Sequence, residues 1–102
     1  MQTTQTELEL DTPAIQRGQR VFRALNHPLR QQIIQYIHKH QRIAVTQIYK
    51  NLRLEQSVAS AHLAILRREK IVQTAREGKK IHYSVNYDRL REVHAISQQL
   101  VH

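Results

Sequence analysis

The chain has 102 residues, 40% of them hydrophobic, with two glycines, two prolines and no cysteine. Its 16 lysines and arginines against 8 acidic residues give a net charge of +8, with the seven histidines counted as neutral. These values describe one small, mostly helical domain with a polyanionic partner, and the missing cysteines exclude disulfides, thiolate metal sites and thiol redox switches. No run approaches the roughly 18 apolar residues that span a bilayer, and the N-terminus lacks a charged-then-apolar signal layout. A cytoplasmic protein without a membrane partner is therefore expected. A chain of this length builds a modest core, to which a second subunit would add.

Residues 1–11 are rich in Thr and Gln, hold three acids (Glu7, Glu9, Asp11) and no base, and lack periodicity. A mobile arm is expected there, with the domain proper over residues 12–102. Thr12-Pro13 reads as an N-cap and first-turn pair that opens a helix to about Leu25. Ile15, Phe22 and Leu25, with Gly18 between, share one side at heptad-like spacing. That stripe suits either the rest of the domain or a partner subunit, and in a chain this small the partner is favoured. Asn26-His27-Pro28 marks the next boundary. The second helix runs to about Lys39, with Leu29, Ile33, Ile34 and Ile37 inward and Arg30 outward.

From Ile43 to Val72 the spacing predicts a short helix, a tight turn, and a longer helix. Val45, Ile48, Tyr49 and Leu52 stand at i, i+3, i+4 and i+7, one helical face. In the longer helix, at about 100° per residue from Ala59, Leu63 falls at about 40° and Leu66 at about 340°, so the three form a narrow buried stripe. Ser57, Ala61, Ala64 and Arg68 fall at about 140–200°, on the opposite face. That face is small, slightly polar and basic at its end, as a helix entering a DNA major groove requires, since bulky side chains would hold its backbone off the base edges.

Ile71–Arg76 and Ile81–Asn86, separated by Glu77-Gly78-Lys79-Lys80, read as a β-hairpin with Arg76, Lys79 and Lys80 at its tip. Three cations beside a groove-reading helix point to phosphates or to a minor groove. A last helix from Asp88 to Leu100, capped near Asn86 or Asp88, has Leu90, Val93, Ile96, Leu100 and Val101 apolar, a face broad enough to bury against the first helix of the same or of a second subunit. Charge is distributed unevenly. Residues 12–41 carry five bases and no acid, residues 42–80 nine bases and three acids, and residues 81–102 two of each. The positive field therefore lies on the helix-turn-helix and the segment before it.

In this order of elements, the segments ALNHPLRQQII (Ala24–Ile34), VTQIYKNL (Val45–Leu52), QSVASAHLAILRREKIV (Gln56–Val72) and REGKKIHYSV (Arg76–Val85) resemble the ArsR family of winged helix-turn-helix repressors. The resemblance covers nearly the whole chain. It implies a mainly α fold with a small β-hairpin, α-α-α-α-β-β-α, and a homodimer through the first and last helices, with Ile15, Phe22, Leu90, Val93, Ile96 and Leu100 at the interface. It also implies recognition helices in successive major grooves of a roughly palindromic operator, with the hairpin wing at the flanks. On double-stranded DNA, Gln56, Ser57, Ser60, Ala61 and Arg68 face bases or nearby phosphates, Ala61 and Ala64 meet thymine methyls, and Arg76, Lys79 and Lys80 form the wing. With few strong hydrogen-bonding groups on that face, shape readout and phosphate contacts carry much of the affinity.

Three positions depart from the family pattern. Arg53 stands where a turn glycine is common, Glu55 where a Ser cap is common, and Glu69-Lys70 where the helix usually ends in Ala-Gly. Either costlier residues take the positive-φ positions or the helix ends differ. The resemblance also implies release of DNA when an inducer, often a metal ion, binds. Here the thiolate site on the helix matching Val45–Leu52 has no cysteine, and Asp88 and His94 lie about 240° apart on the last helix. His94 and His102 could pair only loosely or across a dimer, and His62 reads as a structural hydrogen-bonding residue. No metal and no cofactor are expected, and no inducer can be named. No phosphate loop, nucleophile elbow or HExxH is present, so catalysis is not expected. The alternatives are a winged-helix protein-interaction module without DNA binding and a histidine/carboxylate metal-responsive repressor.

Overall fold

The computed structural model describes residues 10–101. In chain order these form α1 (Thr12–Leu25), α2 (Pro28–His40), β1 (Ile43–Ala44), α3 (Val45–Asn51), α4 (Gln56–Arg68), β2 (Val72–Glu77), β3 (Lys80–Val85) and α5 (Tyr87–Val101). The expected order of elements is present with one addition. Ile43 and Ala44 pair antiparallel with Tyr83 and His82, so the hairpin becomes a three-stranded sheet in the order β1-β3-β2. A strand of two residues is too short for alternation to reveal it, and both of its side chains are buried.

The helix ends explain how so short a chain holds its elements in place. At the start of α1 the cap is Asp11 rather than Thr12: its Oδ1 accepts from the Ala14 amide at 3.1 Å. A carboxylate at this end also meets the positive pole of the helix. The far end of α1 is closed by the first turn of α2. Arg30 donates from Nε to the Ala24 carbonyl at 2.7 Å and from Nη2 to the Arg23 carbonyl at 3.1 Å, while Gln31 Nε2 donates to the Leu25 carbonyl at 2.9 Å. Arg30, expected to point outward, is therefore only 8% exposed. The last carbonyls of a helix have no intrahelical donor and carry its negative pole, and a guanidinium satisfies both needs. His27 caps α2 itself, its Nδ1 accepting from the Leu29 amide.

Two helices end in the same motif. After α4, the Lys70 amide donates to the Arg67 carbonyl and the Ile71 amide to the Leu66 carbonyl; after α3, Arg53 donates to Lys50 and Leu54 to Tyr49. These paired bonds define a Schellman ending, whose penultimate residue sits in the left-handed region. Lys70 (φ 65°) and Arg53 (φ 56°) hold those positions where glycine would be easiest. The departures at the two glycine positions thus leave the geometry intact and change only the residue that adopts it. Ile71 and Leu66, both fully buried, supply the apolar contact that accompanies the motif.

The core is aliphatic. Ile33 and Ile37 of α2, Ile48 of α3, Leu63 and Leu66 of α4, and Ile71 are its largest fully buried side chains, with Ala24, Val72 and Val85 closing around them. Leu29 and Ile34 pack at its edge. On α1 the buried residues are Val21 and Ala24. The last helix begins one residue before the expected Asp88. Asn86 Oδ1 accepts from the Arg89 amide, the Asn86 amide donates to the Ile71 carbonyl, and Arg89 Nε donates to the Glu69 carbonyl. These bonds anchor the start of α5 on the end of α4. No described helix is long and apolar enough to cross a membrane.

Candidate nucleic-acid interface

The outward side of α4 is laid out as its angular spacing predicts. Ala59, Leu63 and Leu66 are buried, whereas Gln56, Ser57, Ser60, Ala61, Ala64 and Arg68 are all exposed. The helix lacks a side-chain cap: Glu55 precedes it in extended conformation, and its carboxylate makes no capping bond. The first-turn amides of α4 are left to outside acceptors. Val58, 39% exposed in the same turn, is a branched apolar side chain at the surface. It escapes the sequence reading because it lies beside the small-residue face rather than on it.

The hairpin stands across from this helix. Its two strands pair from Val72↔Val85 to Glu77↔Lys80, leaving Gly78-Lys79 as a two-residue loop. Gly78 takes φ 61° at the first loop position, which favours glycine, and a Cβ there would meet nothing within 4 Å. Arg76, Lys79 and Lys80 are exposed, though Lys80 is the first strand residue rather than part of the loop. Glu77, the acid among them, forms an ion pair with Arg42, tying the tip to the turn after α2. With both partners about half exposed, that pair contributes about 1 kcal/mol or less, but it neutralises the wing's only carboxylate.

Between α4 and the hairpin lies an open groove of about 420 Å³ lined by Ser60, Ala64, Arg67, Arg68 and Tyr83. Arg67 and Tyr83 are additions to the expected site. Arg67 lies off the α4 outer face by about 100° and reaches the groove from its side. Tyr83 faces it from β3; burial pushes its phenol above the ordinary 10.0, with the nearby Arg67 charge opposing the rise. It remains a neutral hydroxyl able to donate to a phosphate oxygen. Behind α4, His62 is half-buried, its Nδ1 3.5 Å from Arg30 Nη1 and its ring 4.8 Å from that of His27. Burial holds its pKa below 6.5, with smaller contributions from the charges of His27 and Arg30. It therefore supports α4 as a neutral ring.

A second uncovered face lies between α1 and α5. Two adjoining hollows, of about 290 and 270 Å³, share Ala14, Gly18, Phe22 and Ile96. Ile15 is 50% and Ile96 40% exposed. The six residues expected at a dimer interface divide here. Ile15, Phe22 and Ile96 border the hollows, as does Val93, which is only 5% exposed, whereas Leu90 packs against the core of its own domain. One helical stripe contains both sets because α5 must also bury against its own domain. The side chain of Leu100 lies outside the described residues, as does His102. Among the described residues no three His, Cys, Asp or Glu side chains are grouped closely enough to hold a metal ion.

Residues 27–74, from the cap of α2 into β2, match the family model of bacterial regulatory proteins of the arsR family. The transcriptional repressor PagR of Bacillus anthracis is 34% identical over 73 residues, which cover 72% of this chain and 73% of PagR. Among solved structures, NolR from Sinorhizobium fredii superposes with a TM-score of 0.73 at 26% identity, covering 96% of this chain and 95% of NolR. Mb0332 from Mycobacterium bovis, described as a homodimeric winged helix-turn-helix DNA-binding domain and a possible ArsR-family regulator, gives 0.74 at 25% identity over 94% of this chain and 90% of its own. The chain belongs to the arsR family of bacterial regulatory proteins and is a DNA-binding transcriptional regulator with a winged helix-turn-helix fold.

Proposed function

We propose that two copies of this chain bind a two-fold-related site on double-stranded DNA and repress transcription from it. The observation that carries this reading is the groove in which the small outer face of α4, bordered by Arg67 and Arg68, opens toward a wing of three exposed cations. Gln56, Ser57, Ser60 and Ala61 meet base edges, Ala64 meets a thymine methyl, and Arg68, Arg76, Lys79 and Lys80 hold phosphates. The exposed Ile15 and Ile96, beside the half-buried Phe22, favour a partner subunit, in keeping with the homodimer described for Mb0332. Repression rather than activation follows the likeness to PagR. Such a protein works in the bacterial cytoplasm.

Genome-wide mapping of bound sites followed by footprinting tests this. The reading predicts protection of two half-sites about 10 base pairs apart or a multiple of that, related by a two-fold axis, with a promoter overlapped. A single unsymmetrical footprint contradicts the dimer. Absence of salt-dependent binding to any duplex returns the protein to the class of interaction modules.

A further inference from the structure

One concavity shares only Arg68 with the interface proposed above. It lies where the end of α1 meets the first turn of α2 and the last turns of α4, measures about 170 Å³, and is lined by Arg20, Arg23, Ala24, Arg30, Ile65 and Arg68. Four of these six residues are arginines and none is acidic. Among the described residues no ion pair involves Arg20, Arg23 or Arg30, and the pair of Arg68 with Glu69 is the one carboxylate contact of the cluster.

Arg30 makes this more than a solvated charged surface. It is 8% exposed, and three contacts, with the Ala24 and Arg23 carbonyls and with His62, account for three of the five N–H groups of a guanidinium. A buried cation ordinarily meets an anion, yet the hydrogen-bond partners of Arg30 are His62 and two carbonyls at the end of α1, and no carboxylate among the described residues pairs with it. Three further guanidinium groups then converge on the same small volume. Planar N–H forks of this kind match phosphate oxygens in number and direction. At about 30 Å³ of liquid volume per water molecule, the space suits one phosphate or a diphosphate.

We propose that the Arg20–Arg23–Arg30–Arg68 pocket binds a phosphate group. Two sources have this chemistry. Arg68 also lines the groove between α4 and the wing, so the basic surface is continuous and a backbone phosphate of bound DNA can reach the pocket. The other source is a small phosphorylated compound, which through Arg68 would couple to DNA binding. Only the first rests on the DNA reading.

The test uses the full chain, the Arg20→Ala/Arg23→Ala variant, a charge-matched Lys39→Ala/Arg91→Ala control, and the wing variant Lys79→Ala/Lys80→Ala. Arg20 and Arg23 are exposed, so the melting temperature should hold; Arg20→Gln/Arg23→Gln replaces the alanine variant if it does not. If the phosphate is that of the duplex, Arg20→Ala/Arg23→Ala reduces the slope of log K against log salt by about 2 units per subunit, and the control by less than about 1. If it comes from a free compound, calorimetry shows pyrophosphate binding to the wild type and to the wing variant, and no binding to Arg20→Ala/Arg23→Ala. Either result upholds the pocket and identifies its source. Pyrophosphate binding that survives Arg20→Ala/Arg23→Ala with a slope change no larger than the control's overturns it, as does that slope with no pyrophosphate binding at all. A wild type that binds pyrophosphate in the pocket but no duplex upholds the pocket and removes the DNA reading; wing-sensitive DNA binding without either effect does the reverse.

Discussion

Two faces of this domain lie uncovered, and their chemistry is opposite. Across α4 and the hairpin the exposed side chains are small or cationic, around a groove edged by Arg67 and Arg68. Across α1 and α5 they are Ile15 and Ile96, with half-buried Phe22, around apolar hollows. The first face gains little by leaving water and much by meeting negative charge; the second has the reverse balance. Exposure alone is thus a poor guide to partners, and the chemistry of what is exposed separates a nucleic-acid face from a protein face.

The comparison can be broken most severely on the apolar side. Ile96→Asp places a charge in the α1–α5 hollow at a position already 40% exposed, so the domain should fold. Sedimentation equilibrium should then show a monomer, and DNA affinity should fall by about 100-fold or more as the linked second half-site is lost. A dimer that survives this change does not use that face. Leu66→Ala sharpens the comparison by striking the core behind both faces. It should cost about 2–5 kcal/mol in chemical denaturation, a large share of the roughly 5–15 kcal/mol of a domain. Both faces should lose function together.

Smaller effects come from the junctions. Lys70→Gly and Arg53→Gly relieve left-handed backbone at two Schellman endings and should each add about 0.5–1 kcal/mol, raising the melting temperature by a few degrees. No gain would mean that the native lysine and arginine make compensating contacts. The smallest effect is one of pH. His62 has its folded pKa held below the ordinary 6.5, so the unfolded chain takes up the proton first as pH falls. The stability it contributes is full above about pH 6.5 and is lost as pH drops through the folded value. Melting curves from about pH 7.5 to 5 should fall more steeply for the wild type than for His62→Gln. Parallel curves would assign the acid sensitivity to other groups.

Much of this was legible in the residues. The 100° spacing of Ala59, Leu63 and Leu66 separates the buried and outer sides of α4, and Gly78 between two β-branched runs marks the hairpin. Arg30 was the instructive miss. It stands at i, i+3 and i+7 with Ile33 and Ile37, on the buried face, but its charge argued against burial until the open carbonyls at the end of α1 were in view. A helical wheel records angles within one helix and is blind to the end of its neighbour. The same blindness hid β1, whose partner Tyr83 lies forty residues on, and merged the inward Val93 with the outward Ile96. Arg53 and Lys70 show the converse. Their backbone shape could be anticipated from the family pattern even though their identities argue against it.

The central claim is that the α4–wing face is built for the phosphate backbone of DNA, and its most direct test is the salt dependence of duplex binding. For the wild type, log K should fall linearly and steeply with log salt, and Lys79→Ala/Lys80→Ala should reduce the slope by about 1–2 units per subunit without unfolding the protein. A slope that is flat, or that is unchanged when the two wing lysines are removed, contradicts it.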